Sequence, residues 1–287
     1  MERSATDSSG ARMDWNHTAM PGAAQLPTLA LVIPTLREAG NIQVVLERVR
    51  TALDAYDAAY EVIVVDDQSG DGIEEIVAEA GKEDPRIHLV VRRGERGLAG
   101  AVIRGWEETE APLLAVMDAD LQHPPELLPK LWAEVSAGAD LAVGSRYEEG
   151  GDLGGWKPVR AAISRIAIWM TLRVQRPGLR ARDPMSGFFV VRRTCVEGIA
   201  LQKSGFKILL EILARGEIRN LVELPFAFGK RYRGTSKANL RVAWDYAELL
   251  IRLYRLKSRK PSTEGLAGIR APLPTESAAL MPDNPGA

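Results

Sequence analysis

Between residues 28 and 150 short apolar runs rich in β-branched residues alternate with helical patterns, and this alternation limits the fold more than any other feature. The runs are LALVIP (29–34), EVIVVD (61–66), IHLVV (87–91), LLAVMD (113–118) and DLAVGS (140–145). Helical periodicity fills the gaps, from about Ala39 to Tyr56, Gly72 to Gly81, Leu98 to Glu110 and Pro125 to Ala137. A helix between two strands returns the chain to the edge where the first strand began, so the strands lie parallel. Parallel sheets are covered on both faces, which explains runs that are apolar throughout rather than at every second residue. The pattern predicts an α/β, Rossmann-like, mostly parallel sheet with helices on both faces.

In such sheets ligands bind outside the carboxyl ends of the strands. Those ends carry Pro34-Thr35, Asp66-Asp67, Asp118-Ala119-Asp120 and Gly144-Ser145-Arg146, so one crevice should gather the carboxylates. After residue 150 a glycine-rich loop leads into a basic amphipathic stretch, 156–182, with Lys157, Arg160, Arg165, Arg173, Arg176, Arg180 and Arg182 and no acidic residue. A strand near 187–191, a helix over 206–215, a strand over 222–228 and a closing helix from Asn239 to about Lys257 complete the expected domain of 28–257. Residues 1–27 and 261–287, rich in Ser, Thr, Gly, Pro and Ala, are expected to be disordered tails.

Composition excludes several classes. Hydrophobic residues at 46% and a balance of 37 basic against 38 acidic side chains rule out whole-chain disorder. One cysteine, Cys195, permits no internal disulfide, and three scattered histidines form no zinc motif, which fits a reducing compartment. No run approaches the ~20 apolar residues of a membrane span, and the first residues resemble neither a secretory signal nor a transit peptide.

Asp118-Ala119-Asp120-Leu121-Gln122 carries the sharpest chemistry. In an extended segment residues 118, 120 and 122 project to one side, so two carboxylates and an amide oxygen can converge on Mg2+ or Mn2+. His123, beside two prolines, reads as a loop residue. In the second acidic motif, Asp66 to Gly72, Asp67 is the expected ligand contact, and Asp71 is expected to cap the helix that follows. The first strand is not followed by Gly-x-Gly-x-x-Gly; Gly94 to Gly100 lacks that spacing, and no Walker loop occurs, which argues against hydride transfer and ordinary ATP hydrolysis. Basic runs at 156–182, 229–237 and 252–260 face this acidity and suit a phosphorylated small molecule or an anionic membrane surface. Nucleic acid is not expected, because aromatic residues are only 6% and are not interleaved with the cations.

An ordered series of motifs then matches a known family. Pro34-Thr-Leu-Arg-Glu38, Val65-Asp66-Asp67-x-Ser-x-Asp71, Gly97-Leu-x-x-Ala101-x-x-x-Gly105, Asp118 to Glu126, Gly144-Ser-Arg-Tyr147, Asp183 to Phe188 and Arg231-x-x-Gly-x-Ser-Lys237 resemble the family 2 inverting glycosyltransferases of the GT-A fold. Within that family the chain is similar to the dolichyl-phosphate, or polyprenyl-phosphate, mannose synthases. The resemblance implies a donor pocket for GDP-mannose lined by Pro34, Leu36, Glu38, Val65, Asp67 and Ala119, with the metal held by Asp118, Asp120 and Gln122. It implies that Arg146, Arg160 and Ser164 grip the phosphate of a polyprenyl acceptor, and that Arg231 and Lys237 close over the diphosphate leaving group. It further implies amphipathic basic helices, about 156–182 and 239–257, lying on the cytoplasmic face of the membrane, directly or through a membrane-anchoring partner. Two positions depart from the common pattern, Arg37 for Asn and Arg233 for Tyr, and both add positive charge near the donor site. The spacing alone does not separate GDP-mannose from UDP-glucose or UDP-N-acetylglucosamine as donor. A non-catalytic sensor of nucleotide sugars is the reading from another class.

Overall fold

The computed structural model describes residues 27–56, 58–152, 158–176, 178–203, 207–229 and 240–258. The tails therefore lie largely outside the described residues, as do Arg231 and Lys237; Arg160 is described in its backbone alone.

Seven strands form one sheet: β1 (Leu29–Thr35), β2 (Tyr60–Asp66), β3 (Ile87–Val91), β4 (Leu113–Val116), β5 (Leu141–Ser145), β6 (Phe189–Arg192) and β7 (Leu221–Pro225). Their spatial order is β3-β2-β1-β4-β6-β5-β7. Helices α1 (Ala39–Asp54), α2 (Ile73–Glu83), α3 (Leu98–Glu107) and α4 (Leu128–Ser136) follow β1 to β4 in turn, as the alternation predicts. Neighbours β1/β2, β2/β3, β1/β4 and β5/β7 run parallel. Only β6 is reversed, pairing antiparallel with both β4 and β5.

The two-residue period of a strand sends alternate side chains to opposite faces. Leu29, Leu31 and Ile33 of β1 pack with α1 and α4 residues such as Ile42, Val45 and Trp132. Ala30 and Val32 point the other way, toward Val102 and Trp106 of α3 and Ile212 of α6 (Ile208–Arg215). β1 is thus buried on both faces, and chain order turns back on itself between β1 and β4, opening a crevice at their carboxyl ends.

The last layer is α5 (Pro158–Thr171) and α7 (Leu240–Ser258). Tyr246 Oη donates to the Ala167 carbonyl at 2.6 Å, and Leu250 and Leu253 pack on Val174 and Leu210. No helix of the described residues is long and apolar enough to cross a membrane.

The packing of α3 on the sheet is close. A methyl group on Gly105 would lie 2.6 and 2.7 Å from the two γ-carbons of Val32 and 3.1 Å from Val65 Cγ2. Gly105→Ala should therefore destabilise the fold by about 1–3 kcal/mol, despite alanine's better helix propensity. Urea unfolding measures this as a lower midpoint, and an unchanged or higher midpoint would contradict the packing described.

Candidate active site

The loops leaving β1 and β2 are hydrogen-bonded to each other at the crevice, and the loop leaving β4 is bonded to Gly229 beyond β7. Asp66, fully buried at the end of β2, accepts from Thr35 Oγ1 at 2.9 Å, Ser69 N–H at 2.7 Å and Ser69 Oγ at 2.6 Å. Ser69 Oγ in turn accepts the Arg37 N–H at 2.7 Å. Asp71 accepts the Ala39 N–H at 3.0 Å and so caps α1 across the edge of the sheet. The expectation that it caps the following helix is corrected: α2 begins after Gly72, whose φ is 92°, without a side-chain cap. All three non-glycine residues with positive φ among the described residues, Arg37, Gln68 and Leu121, sit in these three loops. Such backbone costs about 1–3 kcal/mol per residue and gathers at binding sites.

Leu121, at φ 62°, also corrects the sequence argument for the acidic triplet. Strand β4 stops at Val116, and residues 119–121 form a bend, so strict alternation does not carry Asp118, Asp120 and Gln122 to one side. They are held by hydrogen bonds instead. Gln122 N–H donates to Asp120 Oδ1 at 3.2 Å, and Gln122 Nε2 donates to the Gly229 carbonyl at 3.0 Å. Gly229 N–H returns a bond to the Gln122 carbonyl at 2.9 Å. This commits the amide nitrogen of Gln122 to protein and keeps the amide oxygen as an acceptor for a ligand.

Asp118 retains 34% of its side-chain surface at the mouth of the crevice, while protein encloses the rest. Burial holds its carboxyl above the usual carboxylate range, and the negative charge of Asp120 adds to the shift. A methyl group at Gly187 would lie 2.8 and 3.0 Å from the two Asp118 oxygens, so only glycine leaves the carboxylate its place.

His123 is buried in an aromatic cluster, with ring centroids 5.2 Å from Phe188, 5.6 Å from Phe226 and 5.7 Å from Phe228. His123 lies on the loop between β4 and α4, as read, but its ring belongs to the core. Burial lowers its pKa, and its Nδ1 accepts the Asp118 N–H at 3.3 Å, so the ring is neutral and anchors the start of the acidic loop.

The other expected donor-pocket residues divide between crevice and core. Pro34 near the end of β1 and Leu36 and Glu38 on the loop after it lie partly exposed, and Asn41 Nδ2 donates to Glu38 Oε2 at 2.6 Å. Asp67 is buried beside them, receiving Arg92 Nη1 at 2.8 Å and Gly97 N–H at 2.7 Å. Val65 and Ala119 are buried with their side chains in the two core layers, which leaves their main chain for any ligand contact.

Of the residues expected to hold the acceptor, Arg146 forms a bidentate pair with fully buried Asp183, Nε to Oδ2 and Nη2 to Oδ1 both at 2.7 Å. Tyr147 Oη donates to Ser164 Oγ at 2.7 Å, which joins α5 to this edge of the sheet. Sequence reasoning left Asp183 and Lys207 out of the site. Lys207, donating to the Met185 carbonyl at 3.3 Å, is pulled down to about 8 by burial and by the positive charge of Arg146. Its one sequence signal is a lysine standing directly before the apolar helix ILLEIL. Several cations of the basic stretches are paired: Arg182 with Glu148 at 3.0 Å and Arg252 with Glu211 at 3.3 Å.

Among the described residues no three His, Cys, Asp or Glu side chains gather into a closed metal cage. Two carboxylates and one amide form an open set, the kind Mg2+ or Mn2+ accepts when a ligand's phosphates complete the sphere. Burial raises the Asp118 carboxyl and Asp120 adds to the shift; a cation there would favour the ionised form of both, so the residues fit the group.

Solved structures share this architecture. The mannosyl-3-phosphoglycerate synthase of Rubrobacter xylanophilus superposes with a TM-score of 0.59 at 18% identity, over 82% of this chain and 76% of that one. The glucosyl-3-phosphoglycerate synthase of Mycobacterium tuberculosis, in complex with Mn2+, UDP-glucose and phosphoglyceric acid, gives 0.57 at 18%, over 83% and 81%. The fold is GT-A, and the chain is a glycosyltransferase. The family model for glycosyl transferase family 2 matches residues 30–199, more than half of the 287, and the chain belongs to that family. The dolichol-phosphate mannosyltransferase of Pyrococcus furiosus is 41% identical over 247 residues, 84% of this chain and 69% of that protein. The enzyme of the same name from Saccharomyces cerevisiae is 36% identical over 79% and 87%. The polyprenol monophosphomannose synthase of Mycolicibacterium smegmatis is 34% identical over 74% and 83%.

The contact between Gly187 and Asp118 yields a clean test. Gly187→Ala displaces a flexible carboxylate end rather than backbone, so glycosyl transfer should fall by about tenfold or more. The thermal midpoint should move little. Full activity would show that the position of Asp118 is immaterial.

Proposed function

We propose that the chain transfers mannose from GDP-mannose to the phosphate of a polyprenyl lipid, with inversion at the anomeric carbon. The observation that carries this reading is the Tyr147–Ser164 hydrogen bond, which ties the acidic crevice to a helix with an exposed apolar face. On α5 Ile163, Ile166, Trp169 and Met170 are exposed, and on α7 so are Trp244, Ile251 and Tyr254. Contiguous apolar surface of this kind marks a membrane or protein contact. A site for a phosphate whose tail is a hydrocarbon needs that arrangement: polar at the sheet edge, greasy beside it. The relatives named for dolichol-phosphate and polyprenol substrates support the same acceptor class.

In this reading Glu38 and Asp67 accept hydrogen bonds from the nucleoside, with Pro34, Leu36, Val65 and Ala119 shaping the pocket. Asp118, Asp120 and Gln122 hold Mg2+ or Mn2+, whose chemistry is to neutralise charge gathering on the departing diphosphate. Arg231 and Lys237 serve the same charge from the segment after Gly229. Arg160 and Ser164 orient the lipid phosphate, and Arg146 contributes as a guanidinium already steadied by Asp183.

No general base is required. A phosphate oxygen of the acceptor is ionised near neutral pH, so it attacks the anomeric carbon without first losing a proton. The new bond forms opposite the bond to the diphosphate, which leaves with its electron pair. The enzyme's task is to bring two anions together, and the cationic residues serve it. The apolar helices suit peripheral attachment at the cytoplasmic face of a membrane.

The test is transfer of labelled mannose from GDP-mannose into an organic-extractable lipid, with purified full chain, Mn2+ and a short polyprenyl phosphate. Acid-labile label in the organic phase is expected from the wild type. Asp118→Ala should lose at least about a hundredfold in rate while keeping its thermal midpoint. Label from a UDP-sugar alone would change the donor and keep the mechanism, and an active Asp118→Ala would overturn the site.

A further inference from the structure

The Gly94–Gly100 loop, which lacks the dinucleotide spacing, has a different use. We propose that Arg92 is a positioning residue for donor binding: with the Gly97 amide it clamps the Asp67 carboxylate so that the remaining oxygen lone pairs receive the nucleoside. This deepens the proposed reading of the crevice as a nucleotide-sugar site and rests on it.

The clamp is fully drawn by the chain. Arg92 follows β3 directly, its N–H bound to the Asp66 carbonyl at 2.8 Å, so the guanidinium starts beside the end of β2. Its Nη1 donates to Asp67 Oδ1 at 2.8 Å and to the Gly97 carbonyl at 3.0 Å, and the Gly97 N–H donates to Asp67 Oδ2 at 2.7 Å. Each Asp67 oxygen thus has one protein donor and keeps further acceptor capacity. Gly97, at φ 124°, adopts a backbone that side chains rarely tolerate, and it presents both its amide and its carbonyl to the pair. A methyl group at Gly100 would lie 2.7 Å from Arg92 Nη2 and 2.8 Å from the Lys203 carbonyl, so the first turn of α3 is cut away to pass the guanidinium. Both side chains of the pair are nearly inaccessible, 4% and 5%.

Stability does not account for this arrangement. A buried ion pair seldom outperforms apolar packing, and here Arg92 Nε is also buried without a partner. What the pair secures is an Asp67 that remains ionised and fixed in orientation. Burial raises the Asp67 carboxyl, with Asp66 adding to the shift, while the Gly97 amide, Arg92 and Arg96 oppose it. Without Arg92 the burial contribution gains, the Asp67 carboxyl moves further up, and as pH falls an acceptor of the nucleoside's N–H or O–H groups is lost sooner. The loss is greatest at low pH and recovers as pH rises through the elevated Asp67 value.

The experiment is calorimetric binding of GDP, without lipid, to the full chain as wild type, Arg92→Gln, Arg92→Met and Arg92→Lys, from about pH 6 to about pH 9. Methionine fills the channel without charge and guards against misfolding of the glutamine variant. Wild type should bind with little pH dependence. The glutamine and methionine variants should bind about tenfold more weakly at the low end and return to within about threefold at the high end. Lysine should rescue binding at every pH, because it restores the charge. Wild-type affinity in the uncharged variants, or an equal loss at every pH in all three, would overturn the clamp while leaving the donor site standing. Absence of binding to the wild type by GDP and by UDP alike would overturn the donor reading and the clamp with it.

Discussion

Parallel strands release their chain at a common edge, so the residues ending β1, β2, β4 and β5 share one small volume, and every carboxylate among them must be compensated there. The rest of the structure is arranged around that constraint. Asp66 is satisfied by Thr35 and Ser69, Asp67 by Arg92 and Gly97, and Asp183 by Arg146. Each solution also fixes a loop, because the compensating donor comes from a different element. The acidic loop 118–122 is tied down through its main chain and the Gln122 amide, so its carboxylates stay presented to the crevice. In the proposed reading a cation shared with a diphosphate would complete the same pattern of compensation.

The price of this edge appears as backbone strain. Arg37, Gln68 and Leu121 take left-handed conformations in the loops after β1, β2 and β4; hydrogen bonds between the first two loops, and from the third to Gly229, hold them. Rigid loops on a rigid sheet suit a reaction that depends on holding two anions in line rather than on moving a proton. Beside them the exposed apolar residues of α5 and α7 give the molecule one side unlike the others.

Much of the fold was legible because burial on both faces leaves continuous apolar runs, and β1 to β5 with their helices fall where those runs predict. The direction of β6 was not legible: the run FVVR reads the same in either orientation, and its reversal depends on how the segment after α5 returns to the sheet. At the site, residue identity was readable and geometry was not. The acidic triplet was singled out from an alternation that Leu121 breaks, because a positive φ in the middle of the loop leaves no trace in the residue spacing. Asp71 caps α1 rather than α2, and Arg146 carries Asp183 on its guanidinium, because both partners are distant in sequence. His123, beside two prolines, read as a loop residue, and only the fold brings three phenylalanines around its ring.

In the proposed reading the acidic loop presents part of a coordination sphere that the donor diphosphate would complete. Titration of the full chain with Mn2+, followed by electron paramagnetic resonance with and without saturating GDP, tests it most directly. The account predicts weak binding by the protein alone and at least about tenfold tighter binding with nucleotide. An Mn2+ affinity that nucleotide leaves unchanged, or that survives loss of both Asp118 and Asp120, would contradict it.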